Sequence, residues 1–147
     1  MEFPDFDLSI DDPEAPLILE TIKMYFECSV NSNVDLFLEI SHPKLTRLAL
    51  GNSNELYWMT QEEVITQSLE GLANARKNVP NFQCRFRINK LIHFTIHDVI
   101  ASIAVDWTML MTESTGHHCT CFHLAKHEDN WIIAHVIDRG RESLKGS

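Results

Sequence analysis

The sequence predicts an α+β domain in which three N-terminal helices pack on a curved antiparallel sheet. In the first half, apolar residues recur every three or four positions in three segments, which is typical of amphipathic helices. From residue 82 onward, apolar and polar residues alternate, as they do in half-buried strands. The alternation slips by one position near Lys90 and Leu91, and such a slip predicts a β-bulge that bends a long strand.

Each of the three helices has a recognisable start. Pro13 and Pro16 mark the first turn of the first helix, because proline lacks the N–H that a helix interior requires. Asn33 is the expected N-cap of a short second helix. Thr60 and Glu63 form a capping box, which predicts the start of the third helix.

Turn residues divide the rest of the sequence into strands. A short hairpin, with its turn at 51–54, lies between the second and third helices. The long strands follow the third helix and are predicted at 82–97, 99–112, 117–127 and 131–138. We expect one domain, 13–138, with an acidic irregular arm at 1–12 and a polar tail at 139–147.

The turn between the last two strands predicts which side chains face the helices. If Glu128 and Asp129 form a two-residue turn, residues 127 and 130 pair, and opposed residues share a face of the sheet. The predicted inward set is His118, Thr120, Phe122, Leu124, Trp131, Ile133, His135 and Ile137. On the preceding strand the more apolar row also faces inward, namely Ile103, Val105, Trp107, Met109 and Met111. The opposite face then carries His117, Cys119, Cys121 and His123.

Composition and charge exclude several classes of function. The formal net charge is -9 and no basic run occurs, which argues against a nucleic-acid partner. No apolar run approaches the ~20 residues that cross a membrane, so no membrane association is expected. The first residues are acidic and do not form a signal peptide, so we expect a cytoplasmic protein whose four cysteines are free.

Several short pieces of sequence carry a family resemblance. They are Ile-Lys-Met-Tyr-Phe at 22–26, the segment 33–43, Asp-Val-Ile-Ala at 98–101, Phe-His-Leu-Ala-Lys at 122–126 and Trp-Ile-Ile at 131–133. In this order and spacing they resemble the nuclear-transport-factor-2-like superfamily, and within it the SnoaL-like and lumazine-binding-like branch. The resemblance implies a cystatin-like cone with a pocket between the helices and the concave sheet face. It also implies a homodimer that pairs through the outer sheet face.

The resemblance further implies where catalytic groups would lie. Ketosteroid-isomerase-like members use a tyrosine of the first helix, and Tyr25 matches it by position. They also use a carboxylate from the strand after the second helix, but the corresponding region of this chain, 45–48, contains no carboxylate. The branch closest in pattern often has an aspartate where this chain has Thr120. Hydratase-like members pair two histidines with an aspartate, and His118 and His135 match the histidines only. The predicted inner wall lacks an acid, so we expect no complete acid/base set and favour a binding protein over an enzyme.

The expected ligand site is the apolar wall of the cone together with a few polar groups. Its predicted residues are Tyr25, Trp58, Trp107, Met109, His118, Thr120, Phe122 and His135. We therefore predict a function-unassigned SnoaL-like domain that binds a small apolar or aromatic ligand. Two alternatives stay open: an enzyme of the dehydratase, isomerase or cyclase type that uses pocket histidines and a tyrosine, and a dimeric protein-interaction module. The same apolar row could also be a filled core.

No cofactor and no metal site are predicted. His117, Cys119, Cys121 and His123 are zinc-type ligands, but alternate residues of one strand lie in a straight row ~7 Å apart. The row would extend ~20 Å from its first member to its last, so its four side chains are poorly placed to surround one metal ion tetrahedrally. We interpret these side chains as part of a dimer face.

Overall fold

Two helices begin the part of the chain that the structure describes. The structure is a computed structural model and describes residues 11–144, with side chains up to Arg141. Helix α1 (Ala15–Asn31) has proline in its first turn and ends at Ser32, whose left-handed backbone (φ 55°) lets its N–H bond back to the last turn. Helix α2 (Val34–Ile40) is capped by Asn33, whose side chain accepts a hydrogen bond from the backbone N–H three residues on. Apart from its last two residues, the predicted arm at 1–12 lies outside the described residues.

A short hairpin separates these helices from the third helical segment. Strands β1 (Ser41–Leu50) and β2 (Leu56–Thr60) pair antiparallel. Helix α3 (Gln61–Val64), a π-helical turn (Ile65–Leu69) and helix α4 (Glu70–Asn78) then follow one another without a break, and the predicted capping box opens α3. The prediction of three N-terminal helices is therefore right only in part, because two helices precede the sheet and the third follows β2.

Four long strands complete a six-stranded sheet. They are β3 (Cys84–His97), β4 (Ile100–Met111), β5 (Ser114–His127) and β6 (Asn130–Leu144). The strand order is β2-β1-β6-β5-β4-β3. All neighbours are antiparallel except β1 and β6, which are parallel, so the predicted fully antiparallel sheet is wrong at this one pair. The cause is topological: the first and last strands meet through a long crossover instead of a hairpin. The register of β3 shifts on both sides of Lys90 and Leu91, which confirms the predicted bulge.

The core lies between α1 and the inner face of the sheet. Phe26 of α1 is fully buried, and its ring lies edge-on to the rings of Tyr25, Phe86, Trp107 and Phe122, at centroid distances from 5.1 to 6.1 Å. Of the predicted inward row of β4, Ile103, Val105, Trp107 and Met109 pack in this core. No helix among residues 11–144 is both long and apolar enough to cross a membrane.

The pairing of β5 with β6 departs from the predicted register. Leu124 opposes Ile133 as predicted, but the ladder then shifts, so that Phe122 opposes Val136 and Thr120 opposes Asp138. Ala134 is the unpaired extra residue of this bulge. The predicted pairing counts residues from the turn at 128–129 and assumes that none of them is unpaired. A slip of one residue moves every following side chain to the other face. The predicted inward positions of His135 and Ile137 are therefore wrong, and Val136 and Asp138 face the core in their place.

Candidate functional site

A cavity lies between α1, the π-helical turn and the inner face of the sheet. Its volume is about 380 Å³. One part of its wall is apolar and comprises Phe26, Leu72, Phe86, Trp107, Met109 and Met111. Polar side chains line the rest, namely Tyr25, Ser29, Arg47, Gln67, Ser68 and His118. The cone is therefore not completely filled by its own side chains.

A buried carboxylate lies at the polar end of this cavity. Asp138 of β6 is 3% exposed and accepts hydrogen bonds from three side chains. Arg47 Nη2 lies 3.2 Å from Oδ2, His118 Nδ1 lies 3.1 Å from Oδ2, and Thr120 Oγ1 lies 2.6 Å from Oδ1. These three donors come from β1 and β5, so the network joins three neighbouring strands of the sheet.

The direction of each hydrogen bond follows from chemistry. The indole N–H of Trp107 can only donate, and it donates to Thr120 Oγ1 at 2.8 Å. The Thr120 hydroxyl is then free to donate its own hydrogen to Asp138. Because an ionised carboxylate can only accept, Nδ1 of His118 carries the proton in its bond to Asp138. In the neutral imidazole, Nε2 is consequently the nitrogen that keeps a free lone pair.

The network sets the charge states of its members. Burial by itself would raise the pKa of Asp138, but the hydrogen bond from His118 and the charge of Arg47 outweigh burial and hold that pKa below its ordinary value. Burial also opposes the charge of Arg47, yet Tyr25 and Asp138 outweigh it and raise the pKa of Arg47. Burial raises the pKa of Tyr25, so its phenol keeps its proton at neutral pH. Arg47 is therefore a cation and Asp138 an anion in this site.

Two glycines and a tryptophan fix the ring of His118. The imidazole stacks on Trp107 with ring centroids 4.2 Å apart and planes 15° apart. A Cβ added at Gly116 would lie 2.9 Å from His118 Nε2, and one added at Gly140 would lie 2.6 Å from Cε1. Side chains at these two positions would push the ring away from Asp138. The glycines therefore leave the space that the ring occupies.

The structure brings together some of the predicted ligand-site residues. Tyr25, Trp107, Met109 and His118 line the cavity, and Thr120 and Phe122 lie buried in the layer behind it. The remaining two, Trp58 and His135, lie on the outer face of the sheet, where Trp58 is 63% exposed and their rings stack at 6.5 Å. Their predicted place inside the cone is wrong, for His135 because of the bulge and for Trp58 because it is paired with the outward Leu48.

Sequence reasoning missed two residues of the polar end, Arg47 and Asp138. A signal existed for Arg47, because strand alternation places it on the same face as the buried Leu45. No comparable signal fixed Asp138. The segment 131–137 is apolar at both odd and even positions apart from His135, so its pattern fits either register.

Comparisons with known proteins give the fold and no closer relationship. No family model matches the sequence, and no curated protein matches it at a significant level. An NTF2-like protein of unknown function from Silicibacter pomeroyi has a TM-score of 0.63 at 12% identity, covering 87% of this chain and 96% of that one. A protein with a cystatin-like fold from Caulobacter vibrioides has a TM-score of 0.65 at 13% identity, covering 88% and 90%.

A third solved structure is described as ketosteroid isomerase-like. It comes from Erwinia carotovora atroseptica and has a TM-score of 0.57 at 11% identity, covering 88% of this chain and 97% of that one. At such identities the likeness concerns the backbone architecture and not the site residues. With its helices packed on a bulged six-stranded sheet, the chain has the nuclear-transport-factor-2-like, cystatin-like fold.

Proposed function

We propose that the cavity binds a small molecule whose buried part is uncharged, with an apolar or aromatic body and a hydrogen-bond acceptor. The main observation in support is a cavity of about 380 Å³ that is apolar along one wall. At its polar end, the charges of Arg47 and Asp138 compensate each other. Cavities that hold small ligands typically measure roughly 300–1,000 Å³ and combine an apolar lining with a few polar groups.

The polar end favours a neutral acceptor over a second charge. Arg47 donates from Nη1 to Ser68 and from Nη2 to Asp138, so its charge is already compensated. Its Nε is buried and has no hydrogen-bond partner among the described residues. An unsatisfied buried donor costs about 1–3 kcal/mol, so an acceptor on the ligand, directly or through one bound water, would relieve that cost.

The apolar wall favours a flat, largely hydrocarbon body. Trp107 offers an aromatic face, and the flexible thioethers of Met109 and Met111 can adjust to different outlines. Burial of apolar surface contributes roughly 25 cal/mol per Å², so a naphthalene-sized body provides most of the expected affinity. The acceptor then fixes the orientation at Arg47.

Prodan, an uncharged naphthyl ketone whose emission shifts to the blue in apolar surroundings, tests this proposal. Gly71 lines the cavity and a Cβ added there meets nothing within 4 Å, so Gly71→Phe is expected to fill the cavity without strain. We expect that variant to weaken prodan binding at least tenfold, or about 1.4 kcal/mol. Its free energy of unfolding should stay equal or rise, because glycine is a poor helix former.

Asn74→Phe is the matched control, since it adds the same side chain to an exposed position of the same helix. It should leave prodan binding unchanged. If Gly71→Phe binds prodan as tightly as the wild type does, the probe does not occupy the cavity and the proposal is wrong.

A second candidate function, acid–base catalysis, is favoured by one observation. The hydrogen bond from His118 Nδ1 to Asp138 leaves Nε2 as a base at the cavity wall. In such a reaction Nε2 takes a proton from the carbon beside a carbonyl, and the electron pair moves to the carbonyl oxygen. The protonated Tyr25 or Arg47 stabilises the resulting enolate, and return of the proton to a different carbon of the conjugated system completes an isomerase-type step.

Hydrogen–deuterium exchange at the methylene group beside the prodan carbonyl tests this candidate. If His118 is a general base, the wild type should accelerate exchange in D₂O about 10²–10⁴-fold over His118→Gln, by analogy with other positioned bases. The variant should still bind prodan. If the wild type binds prodan without accelerating the exchange, acid–base catalysis is wrong as a function and the binding proposal stands.

The outer face of the sheet is the proposed homodimer interface. Leu56 and Trp58 are 57% and 63% exposed there, and Cys121 lies between Ala104 and Ile137 in the ladder. Apolar and soft side chains on one face favour contact with a second copy, as the family resemblance implies. A dimeric interaction module without a ligand would use the same face.

A charge at the centre of this face should prevent dimer formation. We expect Cys121→Glu to be monomeric in light scattering coupled to size-exclusion chromatography, because a buried unpaired carboxylate is costly in an interface. Asn74→Glu places the same charge on the helical side and should not change the mass. A dimer that persists in Cys121→Glu would contradict the assignment of this face.

A further inference from the structure

Two side chains that can bind a metal lie close together on the outer face of the sheet. Cys121 and His123 are alternate residues of β5, and the buried Phe122 and Leu124 beside His123 face the core, so both ligand side chains point outward. Cys121 Sγ lies 3.8 Å from His123 Nε2. In a tetrahedral site with Zn–S ~2.3 Å and Zn–N ~2.0 Å, the sulfur and the nitrogen would be about 3.6 Å apart. The pair therefore already has nearly the spacing of two zinc ligands.

Neighbouring side chains orient this pair. Ser102 Oγ lies 3.7 Å from Cys121 Sγ, where its hydroxyl can donate to a thiolate. The ring of His123 stacks on that of His135, with centroids 5.6 Å and planes 27° apart. His135 is itself fixed, because its Nδ1 donates to the Thr46 carbonyl at 3.1 Å. Burial and the nearby His135 lower the pKa of His123, so its imidazole is neutral at neutral pH and has a lone pair for a metal.

One chain supplies only half of a zinc site. Structural zinc sites have four protein ligands, often two cysteines and two histidines. Among the described residues of a single chain, no group of three or more His, Cys, Asp or Glu side chains is placed to hold a metal ion. His117 and Cys119 continue the row along β5, but each step of two residues moves the backbone ~7 Å further from the pair. Two further ligands are therefore needed from outside the chain.

A second copy packed on the same face would supply these two ligands. In a twofold-symmetric pair, the same residues of both copies can meet at the axis. Stacked sheets lie ~10 Å apart, so an ion midway between them is ~5 Å from each backbone, a distance that a cysteine side chain and a Zn–S bond of ~2.3 Å span together. Two thiolates neutralise one Zn²⁺, so the site adds no net charge to an interface between chains of formal charge -9.

We propose that one zinc ion joins two copies of this chain and is bound tetrahedrally by Cys121 and His123 of each copy. This inference rests on the proposed dimer through the outer face and adds the ion that holds the dimer together. On binding, each thiol releases its proton to solvent and its sulfur becomes a thiolate ligand. Zinc binding and dimer formation are therefore coupled, and each strengthens the other by the same factor.

Zinc titration of the EDTA-treated and desalted protein tests the inference by light scattering coupled to size-exclusion chromatography. We expect one zinc ion per two chains and a dimer dissociation constant at least tenfold lower with zinc than with EDTA, because the ion binds the dimer in preference to the monomer. Co²⁺ in place of zinc should give thiolate-to-metal charge-transfer absorption and the intense visible bands of tetrahedral cobalt. Added zinc should remove both.

Cys121→Ser and His123→Gln each remove one ligand with little change in size. Both variants should lose the effect of zinc on the dissociation constant, and Cys121→Ser should also lose the thiolate-to-cobalt absorption. Cys119→Ser is the matched control, since it removes an exposed cysteine two residues away on the same face and should keep both responses. If Cys119→Ser acts like Cys121→Ser, or if zinc leaves the wild-type dissociation constant unchanged, the inference is wrong.

The same measurements separate this inference from the proposed dimer. A dimer that is equally stable with zinc and with EDTA, and that Cys121→Glu disrupts, would leave the interface in place and remove only the metal. Protein that stays monomeric both with and without zinc would remove both.

Discussion

Replacing Asp138 with asparagine is expected to lower the free energy of unfolding by about 3 kcal/mol at neutral pH, the lower end of the effect of breaking a buried ion pair. The amide offers one acceptor oxygen where the carboxylate offers two, and its NH₂ group would face the donors of Arg47 or His118. Arg47 would then be a buried cation without a counter-charge. Urea denaturation of the two proteins measures the difference.

The same substitution should change how stability depends on pH. The folded-state pKa of Asp138 lies below its ordinary value, so its contribution is fully present above pH ~5, where nearly all of the unfolded carboxyl is ionised. The contribution is lost as the pH falls through the lower folded-state pKa. The wild type should therefore lose stability more steeply than Asp138→Asn below pH ~5, and the two curves should converge in acid.

Glu20→Gln is the control for both measurements, because Glu20 is an exposed carboxylate of α1. We expect it to change the free energy of unfolding by less than about 0.5 kcal/mol. An Asp138→Asn protein as stable as this control at neutral pH would show that the buried network does not stabilise the fold.

Replacing Phe26 with alanine should cost about 3–5 kcal/mol, as large-to-small changes at fully buried aromatic positions do. Phe26 contacts four other aromatic rings and lines the cavity between α1 and the sheet, so the lost volume would add to space that already exists. The surrounding rings belong to different elements and cannot all move to fill it. Chemical denaturation should show a lower midpoint with an unchanged slope.

Leu17→Ala is the matched control on the same helix, at a side chain that is 53% exposed. It should cost less than about 1 kcal/mol, because little apolar surface is lost from the interior. The two variants should also differ in binding: only Phe26→Ala enlarges the cavity, so only it should accept ligands bulkier than prodan. Equal stability losses in the two variants would contradict the central position of Phe26.

Much of this fold could be predicted because local patterns and tertiary structure agree. The Asn33 cap and the Thr60–Glu63 capping box start helices where the sequence indicates, and the alternation of β4 correctly places Ile103, Val105 and Trp107 in the core. The slip near Lys90 also predicted a real bulge. In each case the signal lies within a few residues of the feature that it predicts.

The polar end of the site could not be predicted in the same way. Its residues come from β1, β5 and β6, and β1 meets β6 only through a crossover that no local pattern reveals. In β6 itself, apolar residues occupy both faces around Ala134, because the outer face also carries Ile132 and Ile137. Alternation was therefore uninformative at the one place where the register changes. The predicted absence of an acid on the inner wall followed from that register and is wrong.

The bulge at Ala134 has a consequence for how this site can change over evolution. If Ala134 paired with His123 in a regular ladder, Phe122 would oppose His135 and Thr120 would oppose Ile137, so an imidazole and an aliphatic side chain would replace Val136 and Asp138 in the interior. Deletion of the Ala134 codon, by contrast, would remove only the unpaired residue and would keep Val136 and Asp138 facing the interior. An alignment that places no gap at this point would match Asp138 with outward-facing residues of its relatives. Chains of this fold should therefore be compared by strand register, and only then by residue type.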